Sequence, residues 1–180
     1  MKSPRLEARM VMVEAVDNVI IPQLAKREFR ELEVGKESIP MRHLHRVRED
    51  GGYDAISIIF DKRRRPSFCV YINVIGPEGL HQPWGEVLDP RQATAVAPLR
   101  RVVIRRIKSG LIASFLPRWC RYEWFGFSPK ENADGNRSDV LRACEEFMTC
   151  IDQAERWWAS RELGPNLVSE EISVSDGQVL

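Results

Sequence analysis

The first residues of the chain show the hydrophobic pattern of an amphipathic helix. From Leu6 onwards, apolar residues recur three and four positions apart, which places them on one helix face. Ser3 is a suitable N-cap, and Pro4 suits the first helical position. Pro22 interrupts the pattern, so we expect a kink or a second helix there, with helical structure continuing through residues 23–33.

The hydrophobic period then changes to two, which is typical of strands. Residues 41–48 alternate and end at the turn sequence Asp50-Gly51-Gly52. Residues 53–60 and 67–75 form two further alternating segments, and three strands joined by short turns predict an antiparallel meander. In the most regular of them, the residues expected on one face are Phe68, Val70, Ile72 and Val74.

The remainder of the chain is less regular until a long helix. Residues 76–98 are interrupted by Pro and Gly, residues 99–108 suit a helix or a strand, and residues 119–127 suit a strand. We expect a final helix that Ser138 caps and Gly164-Pro165 ends. Its predicted buried stripe consists of Leu141, Cys144, Phe147, Met148, Ile151, Ala154 and Trp158.

These elements predict an α+β fold in which helices cover one face of an antiparallel sheet of about 4–5 strands. We expect residues 1–164 to form a single domain and residues 165–180 to form a weakly ordered acidic tail. On the last helix, Trp158 should be buried, whereas Trp157 should lie at the edge of the stripe as an exposed indole.

Composition narrows the class of protein. The chain has 180 residues, of which 43% are hydrophobic and 29% charged, too apolar for a disordered protein. Its uncharged runs are well short of the roughly 18 apolar residues that a membrane-spanning helix needs. The charged N-terminus lacks the apolar core of a signal peptide. We therefore expect a soluble, cytoplasmic globular protein.

The overall net charge of +1 conceals a strong polarity along the chain. Residues 40–122 carry 15 basic and 7 acidic side chains, whereas residues 123–180 carry 5 basic and 12 acidic ones. Such an asymmetry can indicate that the basic segment binds an anionic partner. Alternatively, the acidic segment folds back over the basic one and neutralises it.

The order of features resembles a small, mostly bacterial family that is known only as a domain of unknown function. Members combine an amphipathic helix, an Arg-bearing strand, a Gly turn, two further strands, a Trp-rich region and a final helix. The resemblance covers about residues 10–160, and where members carry Gly before an aromatic residue this chain has Glu28. The matching residues are Ile21-Pro22-Gln23-Leu24, Phe29, Arg46-Val47-Arg48, Asp50-Gly51-Gly52, Ile56–Phe60 and Phe68–Val74. The family has no established catalytic residues, so the resemblance implies none here.

Two histidines on the first strand are candidate metal ligands. His43 and His45 are two positions apart, so both leave the same strand face and could hold one ion with His81 or Asp54. The alternative, which we favour, is a solvated histidine pair. The four cysteines (Cys69, Cys120, Cys144 and Cys150) share no C-x-x-C spacing, which argues against a zinc site and favours free core thiols.

No catalytic constellation stands out. Asp50, Asp54 and Asp61 flank the second strand and could act as paired carboxylates, but aspartates at strand ends usually form turns. The chain has no Gly-rich phosphate loop, nucleophile elbow or triad signature. We therefore expect no cofactor and favour a protein that is not an enzyme.

The basic residues are the strongest functional signal. Four cations follow one another in the segment Asp61–Pro66, and we expect them to project from a hairpin end because unpaired buried charges are costly. Arg and Trp are also enriched at protein interfaces. We predict a protein-interaction module. From the chain length and the resemblance, we expect this module to be an immunity-like, toxin-neutralising protein or an accessory subunit. The partner-binding candidates are Arg63, Arg64, Arg65, Arg101, Arg105, Trp84 and Trp157.

Nucleic-acid binding is the alternative. Trp119, Tyr122 and Trp124 lie close in sequence to the basic residues 100–108, so a groove could combine phosphate contacts with stacking platforms. The near-neutral charge of the whole chain argues against this alternative.

Overall fold

A computed structural model shows an α+β fold, as the hydrophobic pattern predicts: an N-terminal helical segment and a long helix in the C-terminal part of the chain accompany an antiparallel sheet. No helix in the described part of the chain is long and apolar enough to cross a lipid bilayer. The structure describes residues 4–32, 41–82, 85–98, 100–108, 122–129, 133–171, 174–175 and 178–179.

The N-terminal helical segment passes through its proline without a break. Helix α1 (Pro4–Ala15) leads into a π-helical turn (Val16–Ile20), which leads into α2 (Ile21–Ala25). The π-turn closes with a hydrogen bond between residues five apart, one more than in an α-helix. Pro22 has no N–H and would clash with the carbonyl four residues before it in a regular helix, so the wider turn accommodates its ring.

The helical segment ends earlier than the sequence predicts. We expected helical structure through residues 23–33, but α2 stops at Ala25. Glu28 adopts φ of 69°, the left-handed conformation that ends helices, and the Phe29 N–H then donates to the Leu24 carbonyl at 3.2 Å. This turn directs Phe29 into the core, where it is 1% exposed.

The three predicted strands form the centre of the sheet with antiparallel pairing throughout. The alternation predicted for the third of them is confirmed: Phe68, Val70 and Ile72 face the helices, and Cys69 and Tyr71 face the other way. In chain order the strands are β1 (Arg30–Glu31), β2 (Met41–Val47), β3 (Tyr53–Phe60), β4 (Ser67–Ile75), β5 (Leu80–His81), β6 (Val87–Leu88), β7 (Arg100–Ile104), β8 (Arg106–Ile107), β9 (Tyr122–Glu123), β10 (Phe125–Gly126), β11 (Leu167–Glu171), β12 (Val174–Ser175) and β13 (Gln178–Val179).

The main sheet has seven strands in the order β1-β2-β3-β4-β7-β11, with β10 also paired to β4. Within the ambiguous range 99–108, Arg100–Ile104 and Arg106–Ile107 are strands, β7 and β8. We expected residues 165–180 to be weakly ordered, but β11 pairs with β7 over five residues and extends the sheet beyond residue 164. The remaining strands form the pairs β5–β6, β8–β9 and β12–β13.

The long helix α3 (Ala133–Ser160) lies across the sheet, but its buried face is not the predicted one throughout. Leu141, expected in the core, is 42% exposed, and Trp157, expected at the edge, is only 9% exposed. Ser138 lies inside the helix rather than at its cap. The buried stripe consists of Val140, Ala143, Cys144, Phe147, Cys150, Ile151, Ala154, Trp157 and Trp158.

The sheet is covered on both faces. On the helix face, Phe68, Phe125 and Phe147 form an aromatic cluster with ring centroids 5.5–6.0 Å apart. On the opposite face, the segment 80–98 contributes Ala93 and Ala95 to a second, smaller core. We predicted helices on one face, which is confirmed; the cover on the other face comes from residues expected to be irregular.

Trp158 connects three elements and tests this packing. Its ring centroid lies 5.3 Å from that of Phe29, and its Nε1–H donates to the Asn73 carbonyl at 3.0 Å. Trp158→Ala should lower the free energy of unfolding by about 3–5 kcal/mol, because it removes a buried aromatic ring and leaves a cavity. Denaturant unfolding followed by circular dichroism measures this change.

Leu141→Ala on the same helix is the control. Because Leu141 is 42% exposed, its loss should change the free energy of unfolding by less than about 1 kcal/mol. Equal effects of the two substitutions would show that α3 packs by another face.

Candidate functional site

The predicted partner-binding residues fall in different environments. Arg63, Arg64 and Arg65 are exposed in the loop between β3 and β4. Trp157 is buried in the helix-side core, and the Arg161 guanidinium lies 4.9 Å from the centroid of its ring. The prediction that the Trp157 indole is exposed is therefore wrong. Trp84 lies outside the described residues.

Arg101 and Arg105, two further candidates, are engaged within the chain. The Glu170 carboxylate accepts a hydrogen bond from Arg105 Nη2 and lies 3.7 Å from Arg101 Nε. The Arg101 guanidinium also stacks over the Tyr71 ring, 4.4 Å from its centroid. The contacts of Arg101 and Arg105 with Glu170 therefore connect β7 to β11, and the contact of Arg101 with Tyr71 connects β7 to β4.

Other pairs follow the same scheme, in which arginines of the basic segment meet carboxylates near the C-terminus. Arg46 donates two hydrogen bonds of 2.7–3.0 Å to Glu155 on α3. Arg106 donates to Glu123 on β9 at 2.7 Å and to Glu146 on α3 at 3.2 Å. For these residues the acidic segment does fold back on the basic one, which is the second of the two alternatives raised by the charge pattern.

The basic loop, residues 61–66, departs from this scheme. Asp61 is 2% exposed and organises the loop from inside, because it accepts hydrogen bonds from the Arg63 N–H at 2.6 Å and Arg65 Nε at 2.7 Å. These contacts lower the pKa of Asp61 against the opposing effect of its burial. Arg64 adopts φ of 61° at the loop tip.

Three cations of this loop project into solvent. The side chains of Lys62, Arg63 and Arg64 are exposed and form no ion pair with any residue that the structure describes. The loop thus presents three positive charges that no described residue of the acidic segment neutralises.

Strand β10 brings an aromatic side chain to the basic loop. Phe125 pairs with Phe68 and Gly126 with Ser67, and a Cβ on Gly126 would lie 2.6 Å from the Pro66 carbonyl oxygen. Only glycine permits this close approach. Because Phe125 points to the helices, Trp124 beside it points to the opposite face and packs in the smaller core.

Two cavities open beside the basic loop. The polar cleft, of about 740 Å³, is lined by Arg65, Arg106, Arg142, Glu123 and Asp139 together with aromatic side chains. The apolar pocket, of about 350 Å³, is lined by Ile59, Phe60 and Trp124 and by loop residues. Arg65 and Trp124 line both, so the cavities adjoin.

Arg142 is not a candidate in the sequence analysis, and Arg106 and Trp124 enter there only through the nucleic-acid alternative. Arg142 lies on α3 and pairs with Asp139 at 2.7 Å, far from the basic loop along the chain. Trp124 was noted only as a stacking residue near residues 100–108, and no local pattern connects it with a loop about 60 positions earlier. Tyr122, another of the three proposed stacking residues, is half-buried in β9, and Trp119 lies outside the described residues.

The histidine pair is buried rather than solvated. His43 and His45 are 4% and 7% exposed, and their rings contact protein atoms on the face covered by segment 80–98. His45 Nε2–H donates to the Ala93 carbonyl at 2.7 Å, and His43 Nδ1 shares a 2.7 Å hydrogen bond with Ser57 Oγ. The histidines therefore hold the covering segment in place. Among the described residues no group of three or more metal-ligating side chains is arranged to hold an ion.

Ser57 and His43 are the residue types of a catalytic nucleophile and its general base, but a substrate cannot reach them. Ser57 is 0% exposed, and its Oγ already accepts a hydrogen bond from the Ala95 N–H at 3.1 Å. Neither side chain lines the polar cleft or the apolar pocket beside the basic loop. The contact is a structural one.

The remaining candidate chemistry is dispersed. Asp54 and Asp61 lie at opposite ends of β3, so they form no carboxylate pair. Asp50 accepts from the Gly52 N–H at 3.0 Å, as a turn-forming aspartate does. Burial raises the pKa of the Cys69 and Cys144 thiols to about 12 and also raises that of Cys150, which makes these thiols poor nucleophiles at neutral pH. Cys120 lies outside the described residues.

Comparison with known proteins identifies no relative: no protein-family model, no curated protein and no solved structure matches the chain. The resemblance to a family of unknown function therefore stays a prediction. The function has to be argued from the geometry of the site.

The role of Glu170 is testable. Glu170→Gln should lower the free energy of unfolding by about 1–3 kcal/mol, because the partly buried Arg105 loses a charged hydrogen-bond partner and the partly buried Arg101 loses the opposite charge beside it. The control is Asp89→Asn, which breaks an exposed pair with Arg91 and should leave stability nearly unchanged. Urea unfolding compares both variants with the wild type, and a similar small effect of the two would contradict the structural role of Glu170.

His45 predicts a pH dependence of stability. Burial lowers its pKa below the usual 6.5, so below about pH 6.5 the unfolded chain binds a proton that the folded chain does not. Stability should therefore fall as the pH drops through 6.5 towards the folded-state pKa, and His45 should contribute no pH dependence above that range. Unfolding measured between pH 8 and pH 5 should show a shallower decline in His45→Gln than in the exposed-site control His81→Gln. Parallel curves for the two variants would contradict this assignment.

Proposed function

We propose that the protein is a non-enzymatic interaction module that binds an acidic partner protein through the basic loop and the two cavities beside it. The observation that carries this proposal is the contrast in charge pairing. Outside the loop, the described arginines of the basic segment other than Arg100 have carboxylate partners within the chain, whereas Lys62, Arg63 and Arg64 are three successive cations with none among the described residues.

Electrostatic repulsion within the loop gives it a reason to bind an anion. Three adjacent unpaired cations repel one another, and an acidic surface relieves that repulsion when it docks. Such a cluster acts mainly on the rate of association and loses its effect as salt rises. The loop can serve this role without cost to the core, because its internal order comes from Asp61.

A protein partner fits the site better than a nucleic acid does. Arg65, Arg106 and Arg142 in the polar cleft are paired with Asp61, Glu123 and Asp139. A phosphate backbone would meet those carboxylates as well as the arginines, whereas a protein surface of mixed charge can pair with both. A toxin-neutralising or accessory role, suggested by chain length and resemblance, would use a surface of this kind.

The test removes the three unpaired cations. Lys62→Ser, Arg63→Ser and Arg64→Ser combined should leave the melting temperature nearly unchanged and should weaken binding of the partner at low salt. The matched control combines Arg5→Ser, Lys26→Ser and Arg156→Ser, which removes one lysine and two arginines from exposed positions elsewhere. The measurement is pull-down from extract of the source organism, with mass spectrometry at low and high salt.

The supporting result is a protein retained by the wild type and the control but lost with the loop variant, and lost from all three at high salt. Retention of the wild type on duplex DNA at about 150 mM salt, abolished in the loop variant, would favour the nucleic-acid alternative instead. Unfolding of the loop variant would show that the cations are structural, and the proposal would then be wrong.

A further inference from the structure

We infer that the apolar pocket beneath the basic loop receives an apolar side chain from the partner, and that the partner segment carries acidic residues on both sides of it. This inference rests on the proposed function, which it makes more specific. It names the class of ligand: an acidic peptide segment with one apolar or aromatic anchor.

The floor of the pocket is apolar. Phe60 is 1% exposed, and Ile59, near the end of β3, and Trp124 are partly buried against the smaller core. At about 350 Å³ the pocket is near the lower end of the range for small-molecule sites, a size that suits one large side chain rather than a cofactor. An apolar floor binds an apolar group because water leaves both surfaces.

The rim of the pocket is cationic. Lys62, Arg63 and Arg65 line it, and its one carboxylate among the lining residues is Asp61. Asp61 is already occupied by Arg65 and by the Arg63 N–H, so it offers little to an incoming cation. Two positive charges remain in excess, and an anchor flanked by acidic residues matches both the floor and the rim.

The adjoining polar cleft extends this recognition in one direction. Arg65 and Trp124 form the shared wall, so a chain that leaves the pocket past them enters a space lined by Arg106 and Arg142. An extended peptide advances about 3.3 Å per residue. The acidic residues that follow the anchor would therefore meet the arginines of the cleft within a few positions.

A nucleobase could also stack on Trp124, but the surroundings favour a peptide. The phosphate that follows such a base would enter the cleft beside Glu123 and Asp139. A peptide can place a backbone N–H against those carboxylates and a carboxylate against the arginines. Nucleic acid is therefore treated as an outcome of the test and not as a second proposal.

The test compares two synthetic peptides on the wild-type protein. One has the sequence Glu-Asp-Glu-Phe-Asp-Glu-Asp, and the other has Ser in place of Phe at equal charge. Isothermal titration calorimetry at low salt should give a dissociation constant roughly tenfold or more lower for the Phe peptide, the gain expected from burying one aromatic side chain. Because it uses the wild type alone, this comparison does not depend on the folding of any variant.

Two variants locate the effect. Trp124→Ala removes the shared wall and should reduce the preference for the Phe peptide while leaving the weaker, salt-dependent binding of the Ser peptide. The variant with Lys62, Arg63 and Arg64 replaced by Ser should lose binding of both peptides, and the matched Arg5, Lys26 and Arg156 control should retain both. Melting temperatures of all variants establish that they are folded.

The outcomes separate the two proposals. If both peptides bind equally and both lose binding in the loop variant, the proposed function stands and the anchor inference is wrong. If neither peptide binds but a short duplex or single-stranded DNA does, both proposals are wrong and the nucleic-acid alternative replaces them. If the Phe preference persists in Trp124→Ala, the anchor lies elsewhere and the pocket is excluded.

Discussion

The packing of α3 across one face of the sheet is the contact on which the remaining structure depends, because it brings the acidic part of the chain over the basic part. Phe147 packs against Phe68 and Phe125, and Trp158 packs against Phe29 at the other end of the sheet. With α3 held at its middle and near its C-terminal end, its carboxylates Glu146 and Glu155 lie beside Arg106 and Arg46 of the strands. The hydrophobic core thus sets which charges meet.

This charge pairing decides which arginines keep an unpaired positive charge at the surface. Arg46, for example, lies against two aromatic rings and pairs with Asp54 and Glu155, so its charge is neutralised within the fold. Pairs of this kind contribute modestly to stability but remove positive charge from the surface. At one end of the β3–β4 hairpin, three successive exposed cations without a carboxylate partner among the described residues adjoin an apolar pocket and a cleft of mixed charge.

The opposite face of the sheet has a different role. There the segment 80–98 is held by hydrogen bonds from His45 to Ala93 and from Ala95 to Ser57. His43, His45 and Ser57 are residue types of metal binding or nucleophilic chemistry, but here they hold this segment in place. The sequence pattern of the segment itself predicts neither a helix nor a long strand. Buried polar groups need hydrogen-bond partners, and His45 and Ser57 find theirs in the backbone of the segment. These hydrogen bonds explain why a segment without periodicity still follows a defined course.

Local pattern alone determined the α+β class, the three central strands and the two faces of β4, because alternation and helical spacing report which side of an element is apolar. It also indicated the exposed basic loop, since four adjacent cations cannot be buried without partners. It failed where the outcome depended on distant residues. Trp157 is buried, and β11 joins the sheet, because residues distant in sequence pack against the one and pair with the other. Local periodicity does not report such distant contacts. The meeting of Trp124 with the basic loop likewise depends on the pairing of β10 with β4, a register that only the tertiary structure decides.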